Sequence, residues 1–264
     1  MTGIATDVAT GYYVAGSSWL HRRHPLTKLL GVLFVVVAVF LLPPAVSLPL
    51  LAALLAGIAI AAGLARSLLR SLRIPSVLVL SIVVVNALFF PGGRDVLLGV
   101  GPLSITREGL TFGLVSASRL LVVFVASVLF LFTTLADDLL ETLVARGVSH
   151  RIAFVVLTAV QLIPRMQHRA TGILAAQQAR GLSLGGSLGR RIRTLVPLVG
   201  PVLLASLVDV RERTLALEAR GFGARPGRTA YRVVPDSGLD RALRMALVIA
   251  IVAVIVVAIT GVVR

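Results

Sequence analysis

Three arginines in this chain sit in the same three letters: Ala145-Arg146-Gly147, Ala179-Arg180-Gly181 and Ala219-Arg220-Gly221. A guanidinium is a planar, permanently charged fork that matches a carboxylate through two parallel hydrogen bonds. Placed just before a glycine, it also suits the end of a helix. Glycine adopts the left-handed conformation that stops the helix, and the cation complements the negative end of the helix dipole. Capping accounts for the copy at 145–147, which ends the short amphipathic stretch LADDLLETLVARG. The other two, in QQARG and LEARG, place their arginines 40 positions apart, each after a polar helical run. Two matched forks can meet carboxylates on a partner that comes in two copies. The choice of Arg over Lys carries little weight, because Lys28 is the only lysine.

The other chemistry-bearing residues form no catalytic constellation. His21, His24, His150 and His168 make no metal-ligand spacing with carboxylates. Cysteine is absent, which removes thiol catalysis and thiolate metal sites. No Gly-Lys-Ser/Thr closes a phosphate-binding loop, and neither Gly185-Gly186 nor the GFGARPG tract at 221–227 opens one. Both tracts read as loops. Asp137, Asp138 and Glu141 read as the solvated face of a short helix. No metal and no cofactor is expected, and any energy must come from a partner.

The elements that position these residues are membrane helices. Hydrophobic residues make up 57% of the 264, and they come in long runs. A span needs about 20 apolar residues. Five stretches qualify: Leu29–Val46, Leu48–Ala65, Ile74–Phe90, Leu110–Thr133 and Met245–Val263. Pro43-Pro44 breaks the first run and sets a tight turn between the first two spans. The 26 basic residues outnumber the 11 acidic ones, and they cluster beside the apolar runs, a pattern of membrane topology rather than of nucleic-acid binding. Arg22, Arg23 and Lys28 precede the first span, and Arg66, Arg70 and Arg73 join the second to the third. A dense set runs from Arg146 to Arg244, while the other side carries Arg94, Arg107 and Arg264. That bias predicts a cytoplasmic N-terminus, a cytoplasmic segment over about 135–240 and an outward C-terminus. Arg119 falls inside the fourth span, where a charge faces protein or water rather than lipid. It is an expected intramembrane tie, with snorkelling to the surface as the alternative. Asn86 and Gln161 are expected to tie helices together.

The segment between the fourth and fifth spans divides into two similar units. Ile152–Ile163 and Leu195–Val208 are apolar runs too short to span, and each passes into an amphipathic helix that ends in Ala-Arg-Gly. Ile163, Met166, Ala170, Ile173 and Gln177 form one stripe; Leu203, Leu207, Val210, Thr214 and Leu217 form the other. Two long helices crossing at the membrane surface would bury both stripes. Interfacial helices without a partner are the alternative. Pro164 and Gly200-Pro201 are expected bends.

The segment IPRMQHRATGILAAQQARGLSLGG, the later LVPLVGPVLLASLVDVRERTLALEARGFGARPGRT, the entry SSWLHRRHPLTKLL and the run ITREGLTFGLVSASRLL resemble the transmembrane T component of energy-coupling factor (ECF) transporters, the EcfT or CbiQ-like family. The resemblance implies an all-α integral membrane protein of about five transmembrane helices with a cytoplasmic-side set of long amphipathic coupling helices. It divides the chain into 1–134, a tail and four spans; 135–240, the coupling segment; and 241–264, the last span. It implies a non-catalytic subunit in a bacterial inner membrane. Two ATP-binding-cassette ATPases and a small membrane subunit that captures a vitamin or transition-metal ion would be its partners, with no nucleic acid among them. Carried over by residue, Ala179, Arg180 and Gly181 would dock one ATPase, and Ala219, Arg220 and Gly221 the other. A conventional ABC permease and a lipid-modifying membrane enzyme are the competing readings.

Overall fold

A computed structural model describes residues 13–14, 16, 18–91, 95–100, 103–181, 188–222 and 235–261. Arg94, Gly185, Gly186, positions 223–227 and Arg264 lie outside them. The chain divides into two compact units. The larger takes 12–142 with 234–264; the smaller holds 143–233.

The larger unit is built from helices α1 (Pro25–Leu41), α2 (Pro44–Ala61), α3 (Ala65–Ser71), α4 (Ser76–Phe89), α5 (Arg107–Thr133) and α9 (Gly238–Ile259). Between α4 and α5 lies an antiparallel pair of strands, β1 (Val96–Val100) and β2 (Leu103–Thr106), which helical periodicity did not predict. Helix α6 (Ala136–Ala145) follows α5. Among the described residues α2, α5 and α9 are long and apolar enough to cross a membrane. Helices α3 and α4 make a fourth candidate, bent by 54° at their junction, and α1 is a shorter apolar helix. The bend falls at Pro75, the residue that caps α4.

Span edges differ from the hydropathy reading for local reasons. α1 starts at Pro25, because the His24 side chain accepts from the Leu26 N–H and proline tolerates the first helical position. It ends before Pro43-Pro44, and α2 restarts with Pro44 at its first position. α9 begins seven residues before Met245. Ser237 accepts from the Asp240 N–H at 3.2 Å and so caps a polar first turn that hydropathy alone cannot see.

α5 is the central post. It packs against α1, α2, α3, α4 and β2, and α1 also packs on α9. The core gathers Val35, Ala38 and Val39 of α1, Leu48, Leu51, Leu55 and Ala59 of α2, Leu64 and Leu68 around α3, and Val122, Ala126 and Leu129 of α5. The α2 set recurs at steps of three and four, one helical face. Leu50, Leu54 and Ile60 on its other face are exposed, as befits a helix bordered by lipid. Against α4, α5 presents Gly109, Gly113 and Ala117, all buried, a small residue every fourth position. A Cβ on Gly109 would lie 2.5 Å from the Asn86 carbonyl oxygen and 2.8 Å from Phe90 Cβ; one on Gly113 would lie 3.2 Å from the Val83 backbone. The two backbones touch here, so glycine is required. The Asn86 amide does not tie these helices: it donates to the Ile82 carbonyl of its own helix at 2.8 Å.

Polar residues lock α1 to α9 at their N-terminal ends. The His24 N–H reaches Asp240 Oδ1 at 3.4 Å, and the Thr27 hydroxyl donates to the Asp240 carbonyl at 3.5 Å. Arg244, almost fully buried, donates to both oxygens of Asp236 at 2.9 and 2.7 Å. That guanidinium holds the Asp236 carboxyl below its usual range.

Candidate functional site

The smaller unit consists of two long helices, α7 (His150–Ala179) and α8 (Leu188–Ala219), which pack on each other. Each expected pair of an apolar run and an amphipathic helix is one continuous helix. α7 runs through Pro164, and α8 runs through Gly200-Pro201.

At the crossing Arg169 Nη1 donates to Asp209 Oδ2 at 2.6 Å and Nη2 donates to Oδ1 at 2.9 Å, a bidentate pair. Nη1 also reaches the Ala205 carbonyl at 3.0 Å. The Ser206 hydroxyl meets Met166 Sδ at 3.1 Å. Residues 166 and 206, like 169 and 209, are 40 positions apart, the interval that separates Arg180 from Arg220. Equivalent positions of the duplicated sequence therefore face each other at the crossing, as in a pseudo-two-fold pair. The Arg169 hydrogen bond, its charge and those of Arg213 and Arg165 hold the Asp209 carboxyl below its ordinary value, against the opposing effect of burial. Beside the crossing lies an open cavity of about 510 Å³.

The crossing uses a different face of α8 from the one the apolar periodicity marked. Val202, Ala205, Ser206 and Asp209 are half-buried, whereas Leu203, Leu207 and Val210 of the expected stripe are exposed, as is Ile163 on α7. The reason is chemical. A guanidinium and a carboxylate at the contact satisfy each other only if they face inward, and that rotation turns the leucines out. The i, i+40 match of Arg169 with Asp209 was present in the sequence and was the signal that could have found this face.

The helix ends carry the Ala-Arg-Gly triplets. Gly181, Gly221 and Gly147 have φ of 92°, 71° and 99°, the left-handed region. At α8 the Gly221 N–H bonds the Glu218 carbonyl at 2.9 Å and the Phe222 N–H bonds Leu217 at 2.9 Å, both bonds of a Schellman cap. The 145–147 copy has the same two bonds, from Gly147 to Val144 and from Val148 to Leu143. At α7 the Gly181 N–H bonds Gln178 at 3.0 Å. All three copies are thus helix caps. Ala179, Arg180 and Gly181 are exposed, as are Ala219, Arg220 and Gly221. Among the described residues neither Arg180 nor Arg220 has an ion-pair partner. The Phe222 ring lies 4.7 Å from that of Phe154, so the Arg220 end of α8 sits beside the start of α7. Arg180 is at the far end of α7, 26 residues on from Phe154 and about 40 Å along the helix. The two tips lie at opposite ends of the helix pair.

Arg119 projects from α5 toward α1, its guanidinium 5.9 Å from the Phe40 ring centre. Its Nε is buried without a hydrogen-bond partner among the described residues. Asp138 and Glu141 are half-buried rather than solvated; Asp137 is exposed. Among the described residues no three His, Asp or Glu gather as metal ligands.

Residues 16–231 match the model of the cobalt transport protein family, CbiQ. The energy-coupling factor transporter transmembrane protein EcfT of Heliobacterium modesticaldum is 32% identical over 91% of this chain and 94% of its own length. Those of Acidaminococcus fermentans and Brevibacillus brevis are 32% and 30% identical, over 85% and 97% of this chain and 87% and 97% of their own. The arginine-capped helix pair lies inside all of this similarity, and the chain belongs to the CbiQ family, as a membrane transport protein of the energy-coupling factor type.

Proposed function

We propose that this chain is the scaffold subunit of an importer, passing the work of two ATP-binding-cassette ATPases to a separate membrane subunit that holds a vitamin or a transition-metal ion as cargo. The observation that carries the reading is the pair of exposed arginine tips, without ion-pair partners among the described residues and at opposite ends of two helices that pack on each other. Ala179, Arg180 and Gly181 dock one ATPase; Ala219, Arg220 and Gly221 dock the other. Each cap holds its guanidinium at a fixed point beyond the last turn, ready for an acidic groove. When the ATPases close on nucleotide, the tips move with them, and the crossing converts that motion into a tilt of α7 and α8. The exposed apolar residues of both helices, such as Val155, Leu204 and Leu207, give the cargo subunit a surface to follow. Arg119 ties α1 to α5, so that the transmembrane frame stays fixed while the levers move. In this reading the protein lies in a bacterial inner membrane with its N-terminus and residues 135–240 in the cytoplasm. It hydrolyses nothing itself.

Losing one member of a buried, hydrogen-bonded charge pair costs about 2–5 kcal/mol at an interface, and reversing a charge costs more. The double variant Arg180→Glu, Arg220→Glu is expected to insert in membranes and keep its helicity, yet lose co-purification with the ATPases and all transport. Full assembly with full transport would refute the docking role.

A further inference from the structure

The chain folds back on itself before α1. The Val14 N–H bonds the Phe132 carbonyl of α5 at 3.1 Å. His21 is held at both ring nitrogens: Ser18 donates to Nδ1 at 2.6 Å, and Nε2 donates to the Val14 carbonyl at 2.9 Å. Tyr13 packs edge-on against the His21 ring. This fold walls a cavity of about 370 Å³ between the start of α1, the end of α5 and α6.

Arg22, Arg23 and Lys28 line the cavity against one carboxylate, Asp138. Lys28 spends one donor on the Thr133 carbonyl, at 2.6 Å. Arg23 also forms a long ion pair with Asp240, at 3.9 Å, a second carboxylate behind the cavity wall. Its Nε and the Thr134 hydroxyl oxygen are both buried without a partner among the described residues, and both residues line the cavity. Buried donors without acceptors are costly, and here two of them sit where three cations face two carboxylates, Asp138 and Asp240, an excess of one positive charge. What is missing is an anion with several acceptor oxygens. The position narrows its source. The cavity opens where the apolar α1 begins, and Trp19, 56% exposed, lies there with the Arg23 guanidinium 4.8 Å from its ring. An exposed Trp beside Arg at the end of a membrane helix marks the headgroup level of a bilayer.

We propose that this cavity seats the phosphate of an anionic phospholipid headgroup, held by Arg22, Arg23 and Lys28 with the Thr134 hydroxyl. The lipid fastens the segment before α1 to the ends of α5 and α6 and completes their hydrogen bonding. The proposal does not depend on the docking role of Arg180 and Arg220.

Trp19 is the chain's one tryptophan and reports on the site directly. The full chain in nanodiscs of neutral phosphatidylcholine is titrated with phosphatidylglycerol, both lipids being available with bromines near the head end of their acyl chains. Brominated phosphatidylglycerol is expected to quench Trp19 and saturate at one lipid per chain; brominated phosphatidylcholine is not. Arg22→Gln with Lys28→Gln should raise the half-saturating lipid about thirtyfold, and Arg22→Gln alone, which disturbs no side-chain bond, about fivefold. Arg66→Gln with Arg70→Gln, an equal loss of charge on α3, should leave it unchanged. Equal quenching by the two lipids, or equal weakening by the α3 pair, would overturn the proposal. So would inorganic phosphate alone shifting Trp19 emission and displacing the lipid at matched concentration, which would make the ligand a soluble phosphate.

Discussion

Where α4 meets α5 the two helices touch backbone to backbone; where α7 meets α8 a guanidinium and a carboxylate hold a single crossing. The first contact leaves no room for even a methyl group at Gly109. The second leaves long apolar faces and both helix tips uncovered. A joint made of close backbone contact is stiff, because any slide must break many small contacts at once. A joint centred on one bidentate pair, with only Ser206 on Met166 and Phe222 on Phe154 beside it, has far fewer contacts to break. In the proposed function, the first region would serve as a frame and the second as a lever pair.

The comparison can be broken most forcefully with alanine. Gly109→Ala should cost about 1–3 kcal/mol by forcing α4 from α5, read as a lower unfolding temperature in detergent. Gly113→Ala, with its nearest atoms at 3.2 Å, should cost less. Gly172→Ala on exposed α7, with nothing within 4 Å, should instead stabilise by up to about 1 kcal/mol. If Gly109→Ala and Gly172→Ala behave alike, the contrast between the two joints is wrong.

Two caps give the next effects. Ser237→Ala removes the acceptor at the start of α9 and should cost about 1 kcal/mol. Gly221→Ala places a Cβ at φ 71°, and should cost about 1 kcal/mol and fray the Arg220 tip. Hydrogen exchange at residues 217–222 reads the fraying; unchanged protection there would argue against a tight cap.

Much of this was legible beforehand, for physical reasons that differ by element. The apolar runs located the membrane helices because transfer from water depends on composition alone. Their edges were not legible. They are set by His24, Pro43-Pro44 and Ser237, polar or rigid residues that hydropathy averages away. The cap at 145–147 could be read because glycine after a helix has one dominant use; at 181 and 221 the sequence favours a partner contact over capping, yet the same left-handed glycine cap is present there. The contact face of α8 could not be read: apolar periodicity points to the stripe of Leu203, Leu207, Val210, Thr214 and Leu217, whereas Arg169 and Asp209 decide the rotation. The β1–β2 pair went unseen, since two short strands leave no helical period.

The smallest effects belong to the crossing itself. Asp209→Asn should leave the protein folded but broaden the distance between spin labels placed at residues 180 and 220. The exchanged pair Arg169→Asp, Asp209→Arg should narrow it again. The Asp209 carboxyl is held below its ordinary 3.8, so the pair is fully formed above that value and is lost only as pH falls through the lowered one. The spin-label distance should therefore not change between about pH 8 and pH 5. A broadening in that window would mean that another group controls the joint.

Because the chain has no cysteine, a single one can be placed beside either tip without disturbing its arginine. Gln178→Cys and Glu218→Cys, each carrying a short photocrosslinker and co-expressed with the ATPases of its own transport system, test the central claim most directly. Each tip should crosslink to an ATPase chain, and the doubly labelled protein should capture two. Adducts only with lipid or with the protein's own polypeptide, at both positions, would contradict the account.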